Sequence, residues 1–305
     1  MQLFYSPAYV GANHAFATTR KAGWVADSLV TEPLAGVSLL APDPLPQAEL
    51  QRVHDAAYIE AVRTGTPRAL AEAQELRWDP GLWSMTLASN GGAVAAALAA
   101  LEHGTAGSLS SGLHHARRAR GAGYCTFNGL ALAALRALEC GARRVLILDL
   151  DAHCGGGTAS LVGERDDIWQ IDVSVDAYDR YTSTESVRLH MVDDATRYLG
   201  TVWDQLTWLQ AHGPRFDLCL YNAGMDPCEG CPDGALAGIT PTMLAQREAM
   251  VFAWCRQQRL PVAFLLAGGY VGPHLDTTQL VALHRLTVVA ACQLGPARPL
   301  MRASS

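Results

Sequence analysis

The stretch from Val145 to Gly157, Val-Leu-Ile-Leu-Asp-Leu-Asp-Ala-His-Cys-Gly-Gly-Gly, restricts the possible folds more than any other part of the chain. Its first four residues, Val145 to Leu148, are β-compatible and have no polar face, which fits a strand covered on both sides in a parallel sheet flanked by helices. Ligands of such sheets sit at the carboxyl ends of the strands. Side chains alternate at period two, so Asp149, Asp151 and His153 share one face if the extension continues through them. An arbitrary D-x-D-x-H reads equally well as a capping aspartate and a surface histidine. The three glycines that follow favour a site, because they let backbone turn sharply and approach closely.

Strand-like runs recur at Met1–Tyr5, Ile168–Ser174, Asp217–Asn222 and Val262–Leu266. Helical spacing covers Arg20–Val30, Leu45–Val62 with a break near His54 and Asp55, Met85–Leu101, Phe127–Leu138, Thr196–Gln210, Thr242–Gln257 and Leu275–Leu294. Thr64–Pro80 reads as a polar loop, and Gly107–Leu113 runs into the pair His114-His115. The alternation predicts an α/β class with a mostly parallel sheet between helices. With 305 residues, half of them hydrophobic, one such core can be buried, so residues 1–305 are expected to form a single domain with 296–305 as a tail.

The net charge of -6 argues against nucleic acid as a partner and fits a cationic substrate. No uncharged apolar run approaches the length of a bilayer span, and the N-terminus lacks the basic-then-apolar order of a signal peptide. The expectation is a cytoplasmic protein without a membrane partner. The eight cysteines lack the density of a disulfide scaffold and are expected to be reduced thiols. Nothing in the sequence sets an oligomeric state.

Several predicted strands end in residues useful for hydrolysis. Asp226 follows the third strand in Ala-Gly-Met-Asp, and Tyr270 follows the fourth in Ala-Gly-Gly-Tyr. A catalytic zinc takes three N, O or S ligands and leaves a position open, and Asp151, His153 and Asp226 supply such a set. The His pair offers a base and Tyr270 an oxyanion donor. Each element alone is weak, but their joint order at strand ends is not.

In that order the chain resembles the histone deacetylase family, which includes the bacterial acetylpolyamine amidohydrolases. The matching pieces are Ser111–Ala116, Gly123–Asn128, Asp149–His153, Asn222–Asp226 and Gly268–Tyr270, and the resemblance runs from the His14 region to about Leu294. It implies an arginase/deacetylase-type three-layer fold and a zinc-dependent amidohydrolase that removes an acyl group from acyl-lysine or an acylpolyamine. It makes Asp151, His153 and Asp226 the Zn2+ ligands. Asp149, with Ser174, is implied at a structural K+ or Na+ and as the partner that orients His114. His115 becomes the general base acting on metal-activated water, with His114 or His115 returning a proton to the amine, and Tyr270 polarises the carbonyl. Tyr124 and Gly123 line the substrate channel, and Asp79 is placed at its rim.

The departures set further expectations. Relatives read D-x-D-x-H-H-G-x-G with an acidic residue or Asn before the last glycine, whereas this chain has Cys154 and Gly156, so the second histidine is expected to lack its carboxylate partner. Cys231 replaces an acidic residue, forming C-x-x-C with Cys228 and leaving two loop thiols near the site. The segment Asp176–Ser183 lacks the family's aromatic-Pro-Gly run, leaving Tyr178 or Tyr181 to line the tunnel. Arg117, Arg118 and Arg120 read as a solvated cluster, and His14 and His54 as loop histidines. The alternative is a catalytically weak homologue that binds zinc and acyl amines without turnover, which Gly156 favours. A binuclear manganese ureohydrolase would need further aspartates that the glycines after His153 do not provide.

Overall fold

A computed structural model describes residues 1–14 and 16–293; the predicted tail at 296–305 lies outside them. The strands are β1 (Gln2–Phe4), β2 (Ser38–Leu40), β3 (Thr105–Ser108), β4 (Val145–Asp149), β5 (Ile168–Ser174), β6 (Val187–Met191), β7 (Leu218–Ala223) and β8 (Val262–Leu266). They form one eight-stranded sheet in the order β2-β1-β3-β8-β7-β4-β5-β6, and every pairing is parallel. The helices are α1 (Lys21–Thr31), α2 (Gln47–Leu50), α3 (Ala56–Thr64), α4 (Arg68–Ala71), α5 (Gly81–His103), α6 (Gly129–Glu139), α7 (Gly156–Val162), α8 (Ala195–His212), α9 (Pro241–Gln257) and α10 (Thr277–Cys292).

The continuous apolar character of the central strands follows from burial on both faces. In β4, Leu146 and Leu148 join the core under α1, α8, α9 and α10, while Val145 and Ile147 join the core under α3, α5 and α6. The same period-two division holds in β7, between Cys219 and Tyr221 on one side and Leu218 and Leu220 on the other. Short strands β2, β3 and β6 were not distinct in the sequence as separate apolar runs. Thr105–Ser108 contains a glycine whose added Cβ would reach within 2.6 Å of the Phe264 ring, so β3 trades apolar bulk for close packing against β8.

Helix starts are fixed by local chemistry. Asn128 caps α6 by accepting from the Ala131 N–H at 2.9 Å, and Asp276 with Gln279 forms a reciprocal capping box on α10. His54, expected to serve a loop, bridges the Arg117 carbonyl and the Asn128 N–H, both at 2.9 Å. Burial lowers its pKa to about 4 and keeps the ring neutral for this role. Among the described residues α5 is the one helix long and apolar enough to cross a membrane, contrary to the expectation from charge-free runs. Its alanine-rich surface is packed on α6, β3 and β8, which accounts for the composition.

Gly91 in α5 separates two physical effects. Alanine gains about 1 kcal/mol over glycine in a helix interior. Here, however, an added Cβ would overlap the Asp43 carbonyl oxygen and lie 2.9 Å from the Leu45 nitrogen. Overpacking of this kind costs about 1–3 kcal/mol or more. Gly91→Ala is therefore expected to lower the melting temperature by a few degrees; a rise would mean that the Asp43–Leu45 backbone moves aside freely.

Candidate active site

The carboxyl ends of five adjacent strands converge. β3 leads to His114 and His115, β8 to Tyr270, β7 to Asp226, β4 to Asp151 and His153, and β5 to a loop bearing Asp179. The extended alternation predicted through His153 stops at Asp149, where β4 ends. Two successive Asx-type turns replace it: the Asp151 N–H donates to Asp149 Oδ1 at 3.2 Å, and the His153 N–H donates to Asp151 Oδ1 at 3.1 Å. Asp151 and His153 are thereby turned toward β7, while Asp149 faces His114.

Ligating atoms of Asp151, His153 and Asp226 all lie within 4.8 Å of one another, and all three residues are buried. His153 Nδ1 faces Asp151 Oδ1 at 3.2 Å and Asp226 Oδ2 at 3.1 Å. Backbone donors hold the remaining carboxylate oxygens: Gly268 N–H on Asp151 Oδ2 at 2.7 Å and Ala152 N–H on Asp226 Oδ1 at 3.1 Å. Side chains at Gly224 or Gly268 would overlap this cradle, since a Cβ on Gly224 would sit 2.7 Å from Asp226 Oδ1. One nitrogen and two carboxylates, both carboxylates backed by a backbone donor, fit a divalent cation such as Zn2+ with a position left open. Burial opposes charge on His153, but the two aspartates outweigh it and push its pKa up to about 12. Burial and the neighbouring Asp151 raise Asp226 to about 6. At Asp151 burial works against ionisation, and His114 and His153 overcome it, holding the carboxyl well below its ordinary value. Asp233, which the sequence did not mark, lies 3.5 Å from His153 Nε2 on the open side.

His114 Nδ1 is 2.8 Å from Asp149 Oδ2, whose other oxygen accepts from Asn222 Nδ2 at 2.9 Å. Burial disfavours a charged His114, yet Asp149 and Asp151 outweigh it and raise its pKa to about 10. His115 moves the other way: burial first, then the adjacent His114, depress it to about 4 against the pull of Asp179. Ser174 Oγ donates to the His153 carbonyl at 3.3 Å. Asp172, a further fully buried carboxylate, is raised well above its ordinary value by burial and by Asp149.

The missing partner of His115 is supplied from elsewhere. His115 Nδ1 lies 3.0 Å from Asp179 Oδ2, which also accepts from the Gly157 N–H at 2.9 Å, and Asp179 Oδ1 pairs with Arg117. This corrects the expectation that Gly156 leaves the histidine unpaired, and it takes Arg117 out of the solvated cluster. The two departures in the motif explain the arrangement. A Cβ on Gly156 would overlap the Asp179 carbonyl and sit 2.7 Å from its Oδ1, so glycine makes room for the loop. Cys154 holds that loop in place, with its N–H on the Tyr178 carbonyl at 3.0 Å and its thiol on the Asp176 carbonyl at 3.3 Å. Asp179 takes φ 58°, a conformation aspartate tolerates better than most residues. The signal in the sequence was only an acidic residue in a segment of unfamiliar pattern.

A mouth of about 290 Å³ opens above these groups, lined by Glu75, Gly123, Tyr124, Asp176, Tyr178, Asp233 and Tyr270 among others. Gly123 has φ +47°, and a Cβ there would approach the His115 ring to 2.5 Å. Tyr178 stands edge-on to His115 with centroids 4.9 Å apart, whereas Tyr181 lies outside the mouth and donates to the Arg188 carbonyl at 3.2 Å. Asp79 does not reach the mouth; its carboxylate accepts from the Gly81 N–H at 2.7 Å at the start of α5. Glu75 occupies the rim instead, 3.3 Å from the Tyr178 hydroxyl. Tyr270 is almost fully buried, and burial together with Asp226 and Asp151 holds its phenol protonated. Cys228 and Cys231 are buried free thiols.

Fold and site together define an α/β protein with a buried nitrogen-and-oxygen donor set beside two carboxylate-paired histidines and a phenol. The chain belongs to the histone deacetylase family, whose domain profile matches residues 14–187. An uncharacterized protein of Picosynechococcus sp. is 33% identical over 229 residues, covering 73% of this chain and 76% of that protein. Histone deacetylase 2 of Arabidopsis thaliana is 31% identical over 188 residues, 59% of this chain and 48% of its own length. Acetylpolyamine amidohydrolase of Mycoplana ramosa is 40% identical over 99 residues, 32% of this chain and 29% of its own. The chain thus spans half or less of these two named relatives. Among solved structures, the HDA15 HD domain superposes with a TM-score of 0.79 over 98% of this chain and 91% of its own at 19% identity. An acetylpolyamine aminohydrolase from Burkholderia pseudomallei gives 0.78 over 96% and 99%, also at 19% identity. These two likenesses show the deacetylase-type fold.

Asp179→Asn would keep the shape of the His115 partner while removing its charge. We expect turnover to fall by about 10–100-fold, the range for loss of an outer partner, with KM little changed. Steady-state kinetics on an acylated amine would check this, and an unchanged kcat would mean that the pairing does not bear on His115.

Proposed function

We propose that this protein is a metal-dependent amidohydrolase that removes an acyl group from an N-acylated amine with an extended alkyl arm, such as acyl-lysine or an acylpolyamine. The observation that carries the reading is the convergence of Asp151, His153 and Asp226 within 4.8 Å, beside His114, His115 and Tyr270. Bound there, Zn2+ would supply Lewis acidity and acidify a water. A monovalent cation, K+ or Na+, beside Asp149 and Ser174 belongs to the same reading, because it would relieve the repulsion between Asp149 and the buried Asp172.

The side chains divide the proton work. Neutral His115, with its pKa depressed to about 4, is placed to accept a proton from the attacking water. Its pairing with Asp179 steadies the ring and the charge it gains. His114, held charged by Asp149, keeps positive potential beside the reacting carbonyl. Tyr270 donates to the oxygen that becomes negative, and protonated His115 returns its proton to the leaving amine. The reading as a zinc-bound protein without turnover rested on an unpaired second histidine, and Asp179 removes that support.

Release of acetate and longer acids from acyl-lysine peptides and acylpolyamines, by zinc-reconstituted protein, tests the assignment. Tyr270→Phe is expected to lower kcat by about 10²–10³, as for loss of an oxyanion donor. One zinc per chain with no turnover of any such amide would return the binding-protein reading.

The rim supports a cationic amine. Glu75, Asp176 and Asp233 line the mouth, with no lysine or arginine among its lining residues. Exposed charge pairs are worth about 1 kcal/mol or less. Glu75→Gln is therefore expected to raise KM for an acylpolyamine up to about fivefold, with less salt dependence and unchanged kcat. Equal KM values for charged and neutral amines in both proteins would remove the rim from substrate selection.

A further inference from the structure

Arg247 in α9 is fully buried and lines neither the mouth nor the ligand cradle. A guanidinium taken out of water is costly unless its donors are paired, and here all five N–H groups have partners. Nε donates to Glu248 Oε1 at 2.8 Å, and Nη1 donates to the Leu150 carbonyl and the Tyr198 hydroxyl, each at 3.0 Å. Nη2 donates to the Gly224 carbonyl at 2.6 Å and to Met225 Sδ at 3.8 Å, and lies 2.7 Å from Glu248 Oε1. Glu248, equally buried, balances the charge and accepts from the Tyr221 hydroxyl at 2.7 Å.

The two carbonyls point to a purpose. Leu150 lies between Asp149 and Asp151, and Gly224 lies two residues before Asp226. Both follow the paired register that ends at Asp149 opposite Asn222. One rigid, planar cation therefore spans the two loops that carry the carboxylate ligands, beyond the region where the sheet ladder aligns them. We propose that Arg247 is a positioning residue that sets the separation of the Asp151 and Asp226 carboxylates, and through it the affinity and geometry of the cation they hold. This rests on the metal reading of the site given above. Lysine cannot substitute, because its three donors on a flexible stem do not reproduce the fork.

The test compares Zn2+ affinity by chelator competition, and the visible spectrum of Co2+-substituted protein, in wild type, Arg247→Lys, Tyr198→Phe and Gly91→Ala. Arg247→Lys is expected to bind Zn2+ about 10–100-fold more weakly, the usual cost of losing an outer partner, with shifted Co2+ bands. Tyr198→Phe removes one acceptor of the guanidinium and should weaken binding by a smaller factor, which keeps the test available if the lysine variant does not fold. Gly91→Ala, destabilised at α5, should keep the wild-type affinity and spectrum. Affinity within twofold of wild type and unchanged Co2+ bands, in whichever of the two network variants folds, would overturn the proposal. So would an equal loss in Gly91→Ala, which would assign the effect to general loosening. Failure of the wild type itself to take up one Zn2+ would instead overturn the metal reading beneath it.

Discussion

The structure depends on the pairing of buried charge at the carboxyl end of the sheet. Asp149, Asp151, Asp172 and Asp226 are almost wholly removed from water, together with His114, His115 and His153. An isolated ionised group in such surroundings would neutralise or drag solvent inward. Each is instead held by an opposite charge or a fixed donor, as with His114 on Asp149 and the Gly268 N–H on Asp151. The neighbouring histidines are driven apart by different causes: Asp149 and Asp151 outweigh burial and raise His114 to about 10, whereas burial and the adjacent His114 lower His115 to about 4. Two adjacent residues of one type are thereby shifted in opposite directions by their surroundings.

That constraint explains the irregular parts of the motif. The loop after β5 brings Asp179 against His115, and it reaches there only because position 156 has no side chain and Cys154 anchors the Tyr178 and Asp176 carbonyls. The second histidine is thereby paired with a carboxylate although the segment after His153 carries none. The same loop presents Tyr178 to the mouth, so the carboxylate that pairs with His115 and one wall of the mouth are carried by one short segment.

The extent to which the chain was legible differs from element to element. Val145–Leu148 and Val262–Leu266 announced themselves as central strands because burial on both faces leaves a continuous apolar run. The short strand Thr105–Ser108 carries no such signature, since it is recognisable only through the Phe264 ring that packs on its glycine. Asp151, His153 and Asp226 were marked by their place at strand ends, and the structure brings them together. Asp79 was placed at the rim on local resemblance, whereas Glu75 stands there and Asp79 accepts from the Gly81 N–H just before α5. A carboxylate near a turn can do either, and the direction of the turn decides.

By itself the sequence determined the α/β alternation, the central strands and the residues that end them, because burial on two faces and period-two alternation are local properties. Tertiary structure alone decided which side chains meet across elements. Arg247 lies 97 residues from Leu150, to whose carbonyl it donates, and Asp179 lies 64 residues from His115. Contacts between residues so distant in the chain leave no periodicity, since they depend on where loops end after strands have taken their order in the sheet.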